Sequence, residues 1–138
     1  MVTTLYYKDV YGGGDVPEAA FPVWAMRAEE RLCADTCGRS AEVLAAAEAA
    51  VGTGAAAKNT APAALSGAVQ HAVCAVAELL YAAHLRKTQG GALTGESVGS
   101  WRRSYAPASD EDCVKKIYAA EALYLGRTNL LYRGCARV

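Results

Sequence analysis

PAALSGAVQHAVCAVAELLYAAHLRK, residues 62–87, is the stretch that decides the fold. Leu65, Val69, Val73, Val76, Leu80 and Ala83 recur at steps of four, four, three, four and three. That is the period of a helix with one buried face. Ser66, Gln70, Glu78 and Tyr81 fall on the opposite side. Pro62 suits a first turn, where its missing N–H has no intrahelical bond to lose. Gln89-Gly90-Gly91 ends the run.

Toward the N-terminus, Ser40 to Val51 is nearly all Ala with Glu42 and Glu48, so a short helix is expected there. Gly52-Thr53-Gly54 breaks it, and Ala55 to Ala61 reads as a linker. Phe21, Trp24, Ala25, Ala28 and Leu32 form another helical stripe, stopped by Gly38. Val16-Pro17-Glu18 opens that helix and Pro22 delays its regular part to about Phe21. Met1 to Asp15 ends in Gly12-Gly13-Gly14-Asp15, a turn signal. Toward the C-terminus, Ala92 to Ala106 carries Gly95, Gly99, Val98, Trp101 and Tyr105 and reads as a loop or short β-hairpin. Ser109 caps a last helix with Asp110, Glu111 and Asp112 at its positive end. Cys113, Ile117, Ala120 and Tyr124 share a face, and Gly126 stops the helix.

The expected fold is therefore all-α, a single domain over residues 1–138. It is a small bundle of three main helices, near 18–36, 62–87 and 110–125, plus the short one. An extended loop or hairpin occupies 90–106 and a C-terminal tail projects.

With 138 residues the chain can build its own core without disulfides or metal. Five cysteines in no regular framework, behind a polar and aromatic opening at Met1–Val10, predict reduced thiols in a cytoplasmic setting. No uninterrupted apolar run reaches the length of a membrane span. The best stretch, Ala72–Leu85, carries Glu78 and His84. Lys plus Arg equals Asp plus Glu at 14 each, which removes the usual compositional argument for nucleic-acid binding. The charge is nevertheless polarised. Residues 1–100 carry 7 basic and 10 acidic side chains, and residues 101–138 carry 7 and 4. Polarity of this kind, with an alanine-dominated apolar fraction, suits copies that meet head to tail.

Motifs that suggest chemistry lack their context. Gly95-Glu96-Ser97-Val98-Gly99 matches the nucleophile elbow, but His71 and His84 both precede Ser97, and no core strand leads into it. Gly52 to Thr60 resembles a phosphate-binding loop, yet Ala57 and Asn59 flank Lys58 where Gly and Ser or Thr are needed. Cys33 and Cys37 with His71 and Cys74 have spacings that could supply four zinc ligands, weighed against ordinary packing of Cys among alanines. The two histidines read singly as solvated or interface residues. Glu121 sits in an apolar sector of the last helix. Either it meets an arginine such as Arg27 or Arg31, or that sector is half-buried, and the second is preferred.

Thr4-Leu5-Tyr6-Tyr7-Lys8-Asp9-Val10-Tyr11-Gly12-Gly13 resembles the opening of head–tail connector (adaptor, neck) proteins of tailed bacteriophages. Ala72-Val73-Cys74-Ala75-Val76-Ala77-Glu78, followed by a Gly-Gly turn, is similar to their core helix. Glu96-Ser97-Val98-Gly99 with Ser104-Tyr105 is similar to the following loop. Tyr124-Leu125-Gly126 through Asn129-Leu130-Leu131-Tyr132-Arg133-Gly134 resembles their ending. These landmarks keep family order over nearly the whole chain; Gly38 to Ala61 departs from it, being unusually rich in Ala.

The resemblance implies a structural, non-enzymatic subunit of the virion neck, assembled in the bacterial cytoplasm. It would form a homo-oligomeric ring on the portal protein, offer a platform to the next neck or tail-completion protein, and extend the channel through which DNA passes. Neither cofactor, metal nor membrane is implied. A helical nucleic-acid-binding, packaging or regulatory phage protein is the alternative, and a small metal-dependent or hydrolytic enzyme a further one. The tail residues Leu130, Leu131, Tyr132 and Arg133 are expected to form a protein interface. They follow a helix stop and adjoin Arg127 and Arg137, and left free they would expose adjacent apolar groups. Folding back onto the chain's own bundle is the competing reading.

Overall fold

In a computed structural model, which describes residues 1–52, 61–88, 95–98, 101–104 and 110–131, the protein is a helical bundle with one hairpin. A helical turn, α1 (Thr4–Tyr6), runs directly into a π-helical turn, Tyr7–Tyr11. Then follow α2 (Phe21–Asp35), α3 (Arg39–Gly52) and α4 (Ala61–Thr88). The antiparallel pair β1 (Gly95–Val98) and β2 (Trp101–Ser104) precedes α5 (Asp110–Leu125). The all-α expectation and its helix positions stand. The linker 55–60 and the phosphate-loop motif around Lys58 lie outside the described residues, except Gly52.

Local chemistry accounts for the ends. A turn closed by Pro17 O, which accepts from Ala20 N and Phe21 N, precedes α2. Pro22 then falls in the first turn, where no backbone donor is missed. At the other end Cys37 and Gly38 both take positive φ, 54° and 84°, and Gly38 N donates to Cys33 O at 2.8 Å. Thr36 Oγ1 donates to Leu32 O and accepts from Ser40 N, so one hydroxyl both finishes α2 and starts α3.

α4 packs against α2, α3 and α5 and against the N-terminal arm. Its sequence pattern suggests one buried face, but residues Ala72 to Ala77 are buried on every side. Four neighbours enclose the helix, so small residues off the main stripe, such as Ala72, Ala75 and Ala77, are as covered as Val73 and Val76. By length and composition Ala63–Thr88 is apolar enough to cross a membrane, despite Glu78 and His84. The enclosure of its centre by the other helices is what a core helix requires.

The helical arm at residues 4–11 is not foreseen by the sequence reading. Its single buried side chain, Tyr7, is 1% exposed and stacks on Phe21 with ring centroids 4.2 Å apart. Gly12 closes the turn with φ 74°, and Gly13 N donates back to Tyr7 O at 2.9 Å. Gly13 lies so close under the Tyr7 ring that a β-carbon there would overlap it.

Beyond α5 the described residues 126–131 turn back toward the bundle, and the rest of the predicted tail, 132–138, lies outside the described residues. Gly126 N donates to Ala122 O, Thr128 Oγ1 donates to Leu125 O, and Asn129 adopts a left-handed φ of 58°. Arg39 Nη1 from the start of α3 holds Asn129 O at 3.2 Å. The turn delivers Leu130 to the core.

Candidate functional site

Three groups of chemistry-bearing side chains occur among the described residues. The largest joins the N-terminal arm to α4 and α5. Tyr7 OH donates to Glu78 Oε1 at 2.7 Å and accepts from Val16 N at 3.2 Å. Tyr11 OH donates to Glu78 Oε2 at 3.3 Å. His71, one turn below Cys74 on α4, sits among the rings of Tyr6, Tyr11 and Tyr124, with centroids 5.7–5.9 Å away. Its Nδ1 lies 3.0 Å from Gly67 O.

The electrostatics of this cluster hold its phenols and its thiol protonated. Burial, then the bond to Glu78, pushes the Tyr7 phenol up to about 12. Tyr11 is pushed up by burial and then by the negative charge of Glu78, and Tyr6 by burial and then Cys74. Burial and then Glu78 raise the Cys74 thiol to about 12. Nucleophiles are activated by depressed values, and these groups are held protonated. Neutral phenols donating to one carboxylate make a latch that fixes the arm across the bundle.

The second group lies between α2 and α5. Arg31 Nε donates to Asp35 Oδ2 at 2.6 Å, and its guanidinium lies over the Tyr118 ring at 5.5 Å. Glu121, in the same neighbourhood, is fully buried. The half-buried expectation for Glu121 is thereby corrected. Arg31 is held further toward its charged form by Asp35 first and only last, after Tyr118, by Glu121, so Glu121 lies within its electrostatic reach. Enclosure of the helix sector costs less when a cation is near.

The third is a cleft of about 190 Å³ between the N-terminus, α2, α3 and α4, lined by Met1, Glu29, Leu32, Ser40, Leu44 and Glu48 among others. Its acids already have partners. The Met1 ammonium pairs with Glu48 at 2.5 Å, and Val2 N donates to Glu29 Oε1 at 2.7 Å.

The candidate ligand set Cys33, Cys37, His71 and Cys74 does not converge. Cys37 is exposed and Cys74 buried, and among the described residues no three His, Cys, Asp or Glu groups are placed to hold a metal. His71 is packed against aromatic rings rather than solvated. His84 is exposed, 5.1 Å from the Trp24 ring. Ser97 lies in β1 opposite Arg102, and the chain continues into a second strand instead of the helix an elbow requires.

The expected tail interface divides. Leu130 is buried at 7% exposure within the core and Leu131 is half-buried against it, so neither stands free as an anchor. The cause is the turn at 126–129. Tyr132 and Arg133 lie outside the described residues.

The arm latch was missed by the sequence reading because its partners are 71 and 67 residues apart in the chain. The one local signal was three tyrosines beside a triple glycine. The hairpin, by contrast, is where sequence and structure leave something open: two strands in one sheet, with no third strand among the described residues. No protein-family model, no curated protein and no solved structure matches this chain.

Proposed function

We propose that the chain is a structural subunit of a tailed-phage neck, forming a ring between the capsid portal and the tail and extending the DNA channel. One observation carries the reading. The polar groups inside the bundle serve to hold the fold, as in the pairing of Tyr7 and Tyr11 with Glu78 and of Arg31 with Asp35. The sheet among the described residues, meanwhile, has two strands and no further strand on either edge. A rigid bundle with such a ribbon suits assembly better than turnover. The resemblance of the ordered sequence landmarks to connector proteins supplies the class of assembly. On this reading the protein is not an enzyme, binds the portal and a further neck or tail-completion protein, and acts in the virion neck after assembly in the host cytoplasm.

The test is electron microscopy of the purified protein mixed with its portal, beside a DNA mobility assay. A ring stacked on the portal, with no salt-dependent DNA shift, is the expected result. A monomer that ignores the portal and shifts DNA with a steep salt dependence would replace this reading with the nucleic-acid-binding one.

A further inference from the structure

β1 and β2 pair with each other in the register Gly95 to Ser104 and Val98 to Trp101, and among the described residues no further strand lies beside either. A lone two-stranded ribbon is marginal in water, and open edges invite another strand. The two edges differ in charge: β1 contains Glu96, whereas β2 contains Arg102 and Arg103.

We propose that hairpins of successive copies add edge to edge, β2 of one copy beside β1 of the next, so that the assembled ring carries a closed antiparallel sheet. The inference rests on the neck-ring reading and names the surface that joins its copies. Strand direction allows it. β1 and β2 are antiparallel, so a neighbour in the same orientation sets its β1 antiparallel to the first copy's β2, and the step repeats without change. Each copy offers one edge forward and the other back, the heterologous contact that closes into rings. Closure leaves no edge exposed. The two-fold alternative through β2 fails on charge. β2 against β2 in full register sets Arg102 opposite Arg103, which is destabilising in a sheet, and leaves β2 the β1 of another copy, where the hairpin's own register sets Arg103 opposite Glu96. The complement of each edge is therefore the other edge of a second copy of this chain.

Charge-swapped pairs of the full-length protein test this. Glu96→Arg makes the hairpin wholly basic, and Arg102→Glu with Arg103→Glu makes it wholly acidic. Ring formation is measured by mass photometry and electron microscopy, with and without portal. Each variant alone is expected to lose about tenfold in assembled fraction. An equal mixture of the two is expected to recover it, because unlike edges then alternate. Assembly of either variant alone at the wild-type level, beside a wild type that forms rings, overturns the edge pairing and leaves the neck-ring reading standing. Failure of the mixture also overturns it. A wild type that never forms rings overturns both. Amide exchange in the wild type guards against misfolded variants. Protection across 95–98 and 101–104 is expected on assembly, and unchanged exchange there counts against the proposal.

Discussion

The N-terminal arm and the β-hairpin are both short excursions from the helical bundle, and they end their backbone and side-chain valences in opposite ways. The arm is closed inward. Tyr7 is buried against Phe21, its hydroxyl is satisfied twice, Gly13 covers its ring, and Tyr11 shares the same carboxylate. Among the described residues the strands of the hairpin pair only with each other. A segment whose polar groups are met within the chain contributes to folding. One whose groups are met only in part contributes to association, because an unmade backbone bond gains most when a partner strand supplies it. Substitutions in the arm are thus expected to read out in stability, and substitutions in the hairpin in assembly.

Tyr7→Ala should break that contrast most severely. It removes a ring buried at the junction of the arm, α2 and α4, and is expected to cost about 3–5 kcal/mol in chemical denaturation. A loss below about 1 kcal/mol would mean that the arm is dispensable to the fold. Glu78→Leu deprives two phenols of their acceptor and should cost about 1–3 kcal/mol, most of it from the buried Tyr7 hydroxyl. In a double-mutant cycle with Tyr7→Phe the two losses should be markedly less than additive, and simple additivity would show that the bond is not formed. Gly13→Ala forces the Tyr7 ring to shift and should cost about 1–3 kcal/mol, read as a lowered melting temperature.

Alkaline pH probes the same latch without mutation. The Tyr7 phenol rises from 10.0 to about 12 on folding. A raised value means that its contribution is complete below the unfolded pKa and is lost as pH rises through the folded one. Stability should therefore decline between about pH 10 and 12, with a late tyrosinate absorbance step accompanying unfolding. Tyr7→Phe should reduce the amplitude of that late step by one phenol, leaving that of Tyr11 and Tyr6, and an identical titration in the variant would sink the assignment. Smallest of all should be the effect of Arg102→Glu with Arg103→Glu on the isolated monomer. The expected change is within about 0.5 kcal/mol by thermal melting, even where assembly is lost. A large drop would place the hairpin with the arm as part of the folding unit.

The apolar spacing of Leu65, Val69, Val73, Val76 and Leu80 was enough to locate the longest helix. Gly38 was enough to bound α2, and the acids at 110–112 to place the start of the last helix, because periodicity and helix ends are local properties. Turn chemistry likewise made a hairpin legible between residues 90 and 106. What no local pattern could set was the number of neighbours around each helix. α4 is buried all round at Ala72–Ala77, Glu121 is wholly enclosed, and Leu130 is folded inward, each because another segment arrives there. The arm shows this most clearly. Tyr6, Tyr7 and Tyr11 were readable as aromatic residues before a glycine turn, but that they close on His71, Glu78 and Tyr124 depended on contacts across more than 60 residues. Short-range propensity determined the elements by itself. Only packing decided which of their polar groups would meet inside the chain.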